Sequence, residues 1–469
     1  MSRTDHTRVV FSSLLLAGMA FALSQTVVSP ALPEIQREFG ADAASAAWIL
    51  TGYLLAASVA TPIVGKLGDL FGRGRVLTVV LLVFAFGSVV CALAPSLAVL
   101  VIGRVIQGVG GGIFPLAFGI IRETFPPERV ATAIGGISAT FGIGGGVGLV
   151  LAGLIVEALD ASWLFWLGLM ALPAAFAIHR YVPREQTRPD SRVDWLGAAL
   201  LSVALASLLY GLSKTNAWGW GSPRVLAFTL GGLAVGALWV WVETKVDQPL
   251  VDMRVLRRRP VLMTNITAVL VGFSMFASFL LIPLLAQTPE RVGYGFGASV
   301  TGAGLLMLPS TLVMLVAGPW AGRLATRFSS RLPLVIGTGV GSLAFIFYAL
   351  AHGTEWQICI GGGLLGIGIG FSFASMANLV VESVPREEVG VATGINTIMR
   401  SLGGALGAQL VASLLTAKTI SGTPIPAEAA YTDAFVVAAI AAALAMLAAL
   451  AIPRTGGPSP QAVTAPAAA

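Results

Sequence analysis

Apolar residues occur along this chain in runs of about 20, and short polar or Gly/Pro segments separate the runs. A helical run of that length crosses the hydrocarbon core of a bilayer, because each residue adds about 1.5 Å along the axis. We therefore predict an all-α integral membrane protein with fourteen transmembrane helices. The predicted spans are 9–31, 46–64, 76–94, 97–121, 131–156, 161–179, 194–213, 224–243, 260–286, 297–321, 332–351, 356–380, 389–416 and 432–452.

Composition agrees with a membrane protein and excludes several other classes. Apolar residues make up 56% of the 469 positions, charged residues make up 11%, and the mean hydropathy is +0.87. A soluble domain of this size needs far more charge to cover its surface, which excludes a soluble enzyme, a disordered chain and a collagen-like repeat. Cys91 and Cys359 lie in separate apolar runs. A disulfide scaffold and a multi-cysteine metal site are therefore excluded, and we predict no metal.

The distribution of basic residues predicts the orientation of the chain. If the N-terminus is cytoplasmic, 21 of the 28 Lys and Arg residues fall in cytoplasmic segments and five fall on the opposite side. Arg104 and Arg400 remain inside spans. Cytoplasmic loops carry the excess of basic residues, so both termini are predicted to be cytoplasmic. The net charge of +6 then reflects membrane orientation, and the expected partner is the lipid bilayer rather than nucleic acid.

An internal repeat predicts how the spans are organised. The 125–135 segment resembles 384–394, and the 65–72 segment resembles 322–329 in degenerate form. The fourth and fifth spans therefore correspond to the twelfth and thirteenth, which indicates six spans, two inserted spans and six related spans. Two parallel six-helix halves are typical of a rocking transporter with its substrate site between them. The predicted units are an N-terminal half at 1–192, an insertion with a basic linker at 193–259, a C-terminal half at 260–454 and a disordered tail at 455–469.

One glycine-rich segment between the second and third spans predicts a conformational latch. Its residues are Gly65, Asp69, Gly72, Arg73 and Arg75. The glycines allow a tight turn and close backbone approach, and Asp69 can accept hydrogen bonds from an arginine or cap a helix N-terminus. Such a latch holds one conformation and breaks in another. The alternative interpretation is an ordinary basic cytoplasmic loop.

Two arginines inside spans predict a polar cavity. Arg104 and Gln107 share one helix face in the fourth span, and Arg400 lies roughly 16 Å into the thirteenth span. An arginine within a span faces protein or a water-filled cavity by default. For Arg104 the alternative is snorkelling to the outer surface, which is harder for the deeper Arg400. Polar neutral side chains expected nearby are Gln25, Asn265, Asn378, Asn396 and Gln409.

Pairs of glycines four residues apart predict close helix contacts in both halves. They are Gly144 with Gly148 and Gly403 with Gly407, and the spacing lets two helix backbones approach. These glycines mark a hinge-like seam rather than a nucleotide loop, because no strand precedes them. No G-x-x-x-x-G-K-[ST] motif occurs in the chain. We therefore predict no ATP motor and no cofactor.

Together these segments resemble the major facilitator superfamily, in its fourteen-span drug:proton antiporter (multidrug efflux) group. The 65–75 segment resembles the superfamily signature between spans two and three, and Arg104-x-x-Gln-Gly with Pro115 resembles the span-four motif. The 23–35 and 48–54 segments resemble the group's patterns in spans one and two. The resemblance covers about residues 9–452, and it implies an efflux antiporter.

Three positions qualify what the resemblance implies. The family usually has an aspartate where Ser24 stands, and the span-five motif usually ends in Gly-Pro, whereas here Leu149 follows Gly148. Glu34 occupies a place where some relatives carry a functional acid, although a solvated loop carboxylate is the alternative. Without an acid at Ser24, the cavity is predicted to be net positive and to favour anionic or neutral compounds over cations.

The leading functional hypothesis is a proton-coupled, secondary-active exporter of small amphipathic molecules or drugs. It is expected in the plasma membrane, as a monomer that works by alternating access. A specific exporter of one endogenous metabolite or lipid is the alternative within transport. A transport-inactive sensor is the alternative outside transport, but it need not bear the insertion cost of two arginines. An enzyme is not expected, because no span carries a carboxylate pair, a histidine cluster or a nucleophile motif.

Overall fold

The computed structural model describes residues 3–41, 43–182, 194–421, 423 and 425–453. Over these residues the regular structure is helical, and a single isolated β-bridge joins Thr419 to Pro426. The predicted tail at 455–469 and the side chain of Leu149 lie outside the described residues.

Fourteen helices of 19 residues or more follow one another in the described ranges, and we number these α1 to α14. Shorter helices between them are given by their residues alone. The long helices are α1 (Arg3–Thr26), α2 (Ala43–Phe71), α3 (Arg73–Ala92), α4 (Leu97–Thr124), α5 (Pro127–Ala158), α6 (Trp163–Tyr181), α7 (Trp195–Ser213), α8 (Pro223–Glu243), α9 (Arg259–Gln287), α10 (Val300–Arg327), α11 (Arg331–Leu350), α12 (Glu355–Ser383), α13 (Val389–Ala417) and α14 (Glu428–Leu450).

Thirteen of these helices have the length and apolar composition needed to cross a membrane, so the chain is a multi-pass membrane protein. The remaining helix, α5, has 32 residues and a length of about 48 Å. Each predicted span overlaps one of the fourteen helices, but most helices run further than the apolar runs. Backbone groups in lipid must be hydrogen-bonded internally, so the helices continue until water or polar partners can replace those bonds.

The segment at 65–75 is almost entirely helical, whereas the sequence predicted a loop there. α2 continues through Gly65 and Asp69, and α3 begins at Arg73. Gly72 alone makes the turn, with a φ of +94° that L-residues with side chains rarely adopt. This one-residue turn brings the last turn of α2 against the first turn of α3.

The first six and the last six long helices repeat the same packing. α1 packs against α5 in the first set, and α9 packs against α13 in the second. Between the sets, α5 packs against α10 and α2 packs against α13. A large apolar cluster fills each set, around Phe84 and Phe114 in the first and around Phe345 and Phe435 in the second. The two sets therefore meet along two lines with a space between them.

The inserted helices α7 and α8 pack on each other and cover one of these two lines. α7 contacts both α2 and α13. Trp48 of α2 stacks on Tyr210 of α7 with ring centroids 5.6 Å apart. On the other side, Trp220 Nε1 donates a hydrogen bond of 2.8 Å to Ser413 Oγ of α13. The pair is thus tied to both sets, while much of α8 faces away from the protein, as its exposed Trp241 illustrates.

Candidate functional site: an ion-pair gate and a cavity between the two helix sets

A buried ion pair closes the turn between α2 and α3. Arg73 donates to Asp69 Oδ1 through Nη2 at 2.6 Å and through Nε at 3.0 Å, and each side chain is 2% exposed. Glu123, in the last turn of α4, forms a second ion pair with Arg73. Charges this deeply buried are stable only when they are paired and hydrogen-bonded. The network therefore depends on all three side chains.

Asp69 also binds the N-terminus of a helix from the other set. Its carboxylate accepts hydrogen bonds from the backbone N–H of Gly390 at 3.3 Å and of Val391 at 3.2 Å. These are the second and third residues of α13, whose N–H groups an N-cap side chain normally satisfies. The residue at the N-cap position of α13, Glu388, makes no such bond. Asp69 thus caps α13 from outside, where the helix dipole favours a negative charge.

Further hydrogen bonds close the same end of the bundle. Arg73 donates to the carbonyl oxygen of Arg386, and Arg122 Nη1 donates to the carbonyl oxygen of Val384 at 3.0 Å. Both acceptors lie just before α13, whereas both donors belong to the first helix set. We call this network, formed by Asp69, Arg73, Arg122 and Glu123 with the backbone at 384–391, the gate. In this structure the gate is closed.

The two remaining predicted latch residues, Gly65 and Arg75, differ in their contacts. Gly65 lets α2 approach α13, since a Cβ atom there would lie 2.5 Å from the carbonyl oxygen of Gly390. Arg75 is exposed and lies outside the network of hydrogen bonds described above. Sequence reasoning missed Arg122 and Glu123. The only signal for them in the sequence was a pair of charged residues at the end of an apolar span, and many spans have such a pair without any such role.

A cavity of about 220 Å³ lies between the two sets on the opposite side of the bundle from the gate. Tyr53 lines it from the early part of α2, and Asp69 lies sixteen residues later on that helix, about 24 Å along its axis. The second set contributes mainly methionine and phenylalanine. The principal apolar lining residues are Leu54, Met275, Phe276, Phe279, Met307 and Met314.

Arg104 supplies the positive charge of the cavity wall. Its guanidinium is fully buried, lies 4.0 Å from the ring centre of Tyr53 and donates to Gln107 Oε1 at 2.7 Å. Two backbone carbonyl oxygens, of Ser24 and Ile49, accept from Nη1 and Nε at 3.1 and 3.2 Å. In the described part of the chain, Nη2 has no hydrogen-bond partner, and the guanidinium has no carboxylate within ion-pair distance. Arg104 is therefore a buried cation with one donor still available.

Arg400 lies beneath the cavity, on the gate side of Phe141. Its guanidinium lies between two rings, 4.9 Å from the centre of Phe141 and 4.3 Å from that of Phe373. Phe141 also stacks on Phe114 at 4.1 Å and lines the main cavity on its other side. The space left at Arg400 is about 10 Å³, close to the minimum that one water needs. Phe141 therefore separates the two arginines.

Four predicted polar residues lie at or next to the two arginines. Gln25 lines the main cavity, whereas Gln107 is buried behind Arg104 and donates to Ser88 Oγ at 2.7 Å. Asn396 lines the small space at Arg400 and donates to Asn265 Oδ1 at 3.0 Å. Gln107 thus orients Arg104, and the two asparagines link α9 to α13.

The structure places three other predicted residues away from the cavity. Asn378 donates to the carbonyl oxygen of Ala131 at 3.3 Å, which joins α12 to α5. Gln409 accepts from Thr215 at 3.1 Å, at the inserted helices. Glu34 is 40% exposed and pairs with Arg37 at 2.9 Å on the short helix Val28–Glu38. None of the three is among the lining residues of the cavity in the described ranges.

The seam glycines lie where two helix pairs approach most closely. A Cβ atom at Gly144 or Gly148 would overlap α1, and one at Gly403 or Gly407 would overlap the backbone of α9. Thr26 of α1 also donates to the carbonyl oxygen of Gly144 at 2.5 Å. The same glycine spacing therefore packs α5 on α1 and α13 on α9.

Curated relatives share most of this chain. A tetracenomycin C resistance and export protein of Streptomyces glaucescens is 32% identical over 407 residues, which are 85% of this chain and 74% of that protein. An uncharacterized MFS-type transporter of Mycobacterium tuberculosis is 29% identical over 435 residues, 89% of this chain. The match spans 62% of that transporter's own length. Several relatives with 30 to 32% identity are named for drug resistance or export.

A solved structure has the same fold. The crystal structure of the human organic anion transporter MFSD10 superposes with a TM-score of 0.65 at 17% sequence identity, covering 96% of this chain and 100% of that chain. The sequence model described as Major Facilitator Superfamily matches residues 14–408 and 289–468. On the strength of this match and of its drug-efflux relatives, the chain belongs to the major facilitator superfamily, whose members are membrane transporters rather than enzymes.

Proposed function

We propose that this chain is a proton-coupled exporter of small amphipathic molecules, drugs among them, in the plasma membrane. It works as a monomer by alternating access, with fourteen spans and both termini cytoplasmic. The six-helix halves at 1–192 and 260–454 rock about the cavity, and 193–259 forms the insertion. The 32-residue α5 supports the fourteenth span, and the basic-residue distribution supports the orientation.

The observation that carries this proposal is the cavity between the halves with a closed gate on one side of it. Alternating access requires a ligand site that opens to one compartment at a time, while a closed barrier separates it from the other compartment. The gate bonds join two halves through a few polar contacts, which can break as a unit when the halves rock. The apolar lining suits amphipathic molecules, and the S. glaucescens relative is named for exporting one such compound.

Transport by inside-out vesicles tests the proposal. Vesicles from cells that express the chain are given a panel of acidic, neutral and cationic amphipathic compounds, tetracenomycin C and ethidium among them, with and without an imposed pH gradient. We expect accumulation of at least one compound above vesicles that lack the protein, and loss of that accumulation when a protonophore is added. Accumulation that is indifferent to the gradient would overturn proton coupling. Absence of accumulation for a wide compound panel would overturn export and favour a sensor.

A further inference from the structure

Two donor groups on the cavity wall have no partner among the described residues. They are Nη2 of Arg104 and the hydroxyl of Tyr53; both residues border the main cavity, and with side chains 0% and 1% exposed their donors lie just behind its surface. The Ser24 hydroxyl, next to the carbonyl that Arg104 binds, is also without a partner there. Buried donors without acceptors are costly, and a fold tolerates them mainly where a ligand or water completes them. Their concentration at one guanidinium marks a site for an acceptor group.

The charges around this site are not balanced by protein carboxylates. Among the lining residues of the cavity in the described ranges, Arg104 is the charged side chain and no acidic residue is present. Two acids that could approach an arginine and neutralise it, Glu34 and Glu382, have other partners. Glu34 pairs with Arg37, and Glu382 accepts a hydrogen bond of 2.7 Å from Ser330. A cationic ligand would therefore meet an uncompensated positive charge at low dielectric, whereas an anion would complete it.

The rest of the wall is mainly apolar and suits an apolar ligand body. Met275, Met307 and Met314 line this space of about 220 Å³ together with Phe276 and Phe279. Methionine side chains adapt to irregular apolar shapes and make favourable contacts with aromatic rings. A molecule with one or two fused rings fits this space, with its polar group directed to the Arg104 side.

We propose that the cavity binds amphipathic organic anions, whose carboxylate or phenolate accepts hydrogen bonds from Arg104 Nη2 and the Tyr53 hydroxyl. The proposal rests on the proposed transport function and names its substrate class. The absence of an acid at Ser24 is then part of the specificity, because a carboxylate there would compete with the ligand for Arg104. Tyr53 positions the anion through its hydroxyl and supports the guanidinium through its ring.

Three ligands that share a naphthalene ring and differ in the charge of their polar group test this proposal. The purified full chain is dialysed against naphthalene carboxylate, naphthylmethanol or naphthylmethylammonium, with empty micelles as the blank. We expect the carboxylate to bind at least about tenfold more tightly than the ammonium compound. Arg104→Gln should reduce this ratio to about twofold, since the charge that discriminates is gone. Arg291→Gln removes an exposed arginine that is not among the lining residues of the cavity, and this matched control should leave the ratio unchanged.

Tyr53→Phe gives a second measurement that does not depend on how Arg104→Gln folds. This variant should weaken the binding of naphthalene carboxylate about threefold and leave the binding of naphthylmethanol unchanged, because it removes one hydrogen-bond donor and no apolar surface. Equal affinities across the series, tighter binding of the ammonium compound, or an intact ratio in folded Arg104→Gln would overturn the proposal. Binding is measured without transport. Discrimination by charge without vesicle accumulation would therefore refute export alone, and accumulation without such discrimination would refute the anion site alone.

Discussion

Replacing Asp69 with asparagine tests whether the gate sets the balance between the two conformations of the transporter. The carboxylate binds Arg73 within the first half and the N-terminus of α13 in the second half. The contacts with α13 exist only while the gate is closed. Asparagine keeps the size and one carbonyl oxygen but removes the charge. The variant should therefore destabilise the closed gate relative to the open one, without altering the cavity about 24 Å away.

The structure gives the expected size of this effect. A hydrogen bond to a charged group contributes about 1.5–3 kcal/mol, and two bonds of 3.2 and 3.3 Å fall at the low end of that range. Asparagine is itself a good N-cap, so part of the interaction survives. We expect a net loss of about 2 kcal/mol from the closed gate, which shifts the conformational equilibrium about 30-fold.

Spin labels on Phe71→Cys and Arg386→Cys, in a chain without its two native cysteines, report the distance across the gate. Asp69→Asn should enrich the long-distance population, reduce transport at least about tenfold and change substrate affinity only a few-fold. Asp247→Asn makes the same chemical change at an exposed carboxylate near the gate and should leave the distances as they are. A large loss of binding with normal cycling, or an unchanged distance distribution, would refute the gate interpretation.

Three further predictions follow from the topology, the seam and the deep arginine. Reporter fusions after Pro183 and after Arg454 should both give cytoplasmic signals, and an external signal at either position would refute the proposed orientation. Gly403→Ala should lower the free energy of unfolding by about 1–3 kcal/mol, and with it the melting temperature, because a Cβ atom there overlaps the α9 backbone. Gly231 has open space around it, so the control variant Gly231→Ala should leave the melting temperature unchanged. Arg400→Leu should raise the melting temperature, since it removes a buried charge that has ring contacts but no ion-pair partner in the described residues. The same variant should lower vesicle transport, and unchanged transport would exclude a functional role for Arg400.

The helices and their order were largely predictable from the sequence, because long apolar runs have few structural options in a membrane. The residues at which the helices end could not be predicted in the same way. The 65–75 segment reads as a glycine-rich loop, yet it is helical on both sides of Gly72. α2 continues past its apolar run to contact α13, and α3 begins at Arg73, which is buried against Asp69. The close contacts of Gly144 and Gly403 followed from their spacing alone, because small residues four apart lie on one helix face.

The candidate site was predictable in its residue types but not in its pairings. Asp69 was expected to bind an arginine or cap a helix, and it does both. The capped helix begins more than 300 residues later in the chain, and local patterns carry no information on that contact. Gln107 was placed beside Arg104 because they are three residues apart on one helix. Tyr53 was missed, since its ring reaches Arg104 only through the relative rotation of α2 and α4.

The inserted helices make the protein's contact with lipid unequal on its two sides. Where α2 meets α13, the α7–α8 pair lies over the crevice and is fastened to both halves by Trp48, Tyr210 and Trp220. Where α5 meets α10, no inserted helix covers the line of contact in the described ranges. One line of contact between the halves is therefore covered by the inserted helices, whereas the other is left to face the surrounding lipid. On that second line Gly135 and Gly318 pack backbone to backbone, since a Cβ atom on either would lie within 2.4 Å of the other's carbonyl oxygen, so any side chain there would push α5 and α10 apart on the side that lipid reaches.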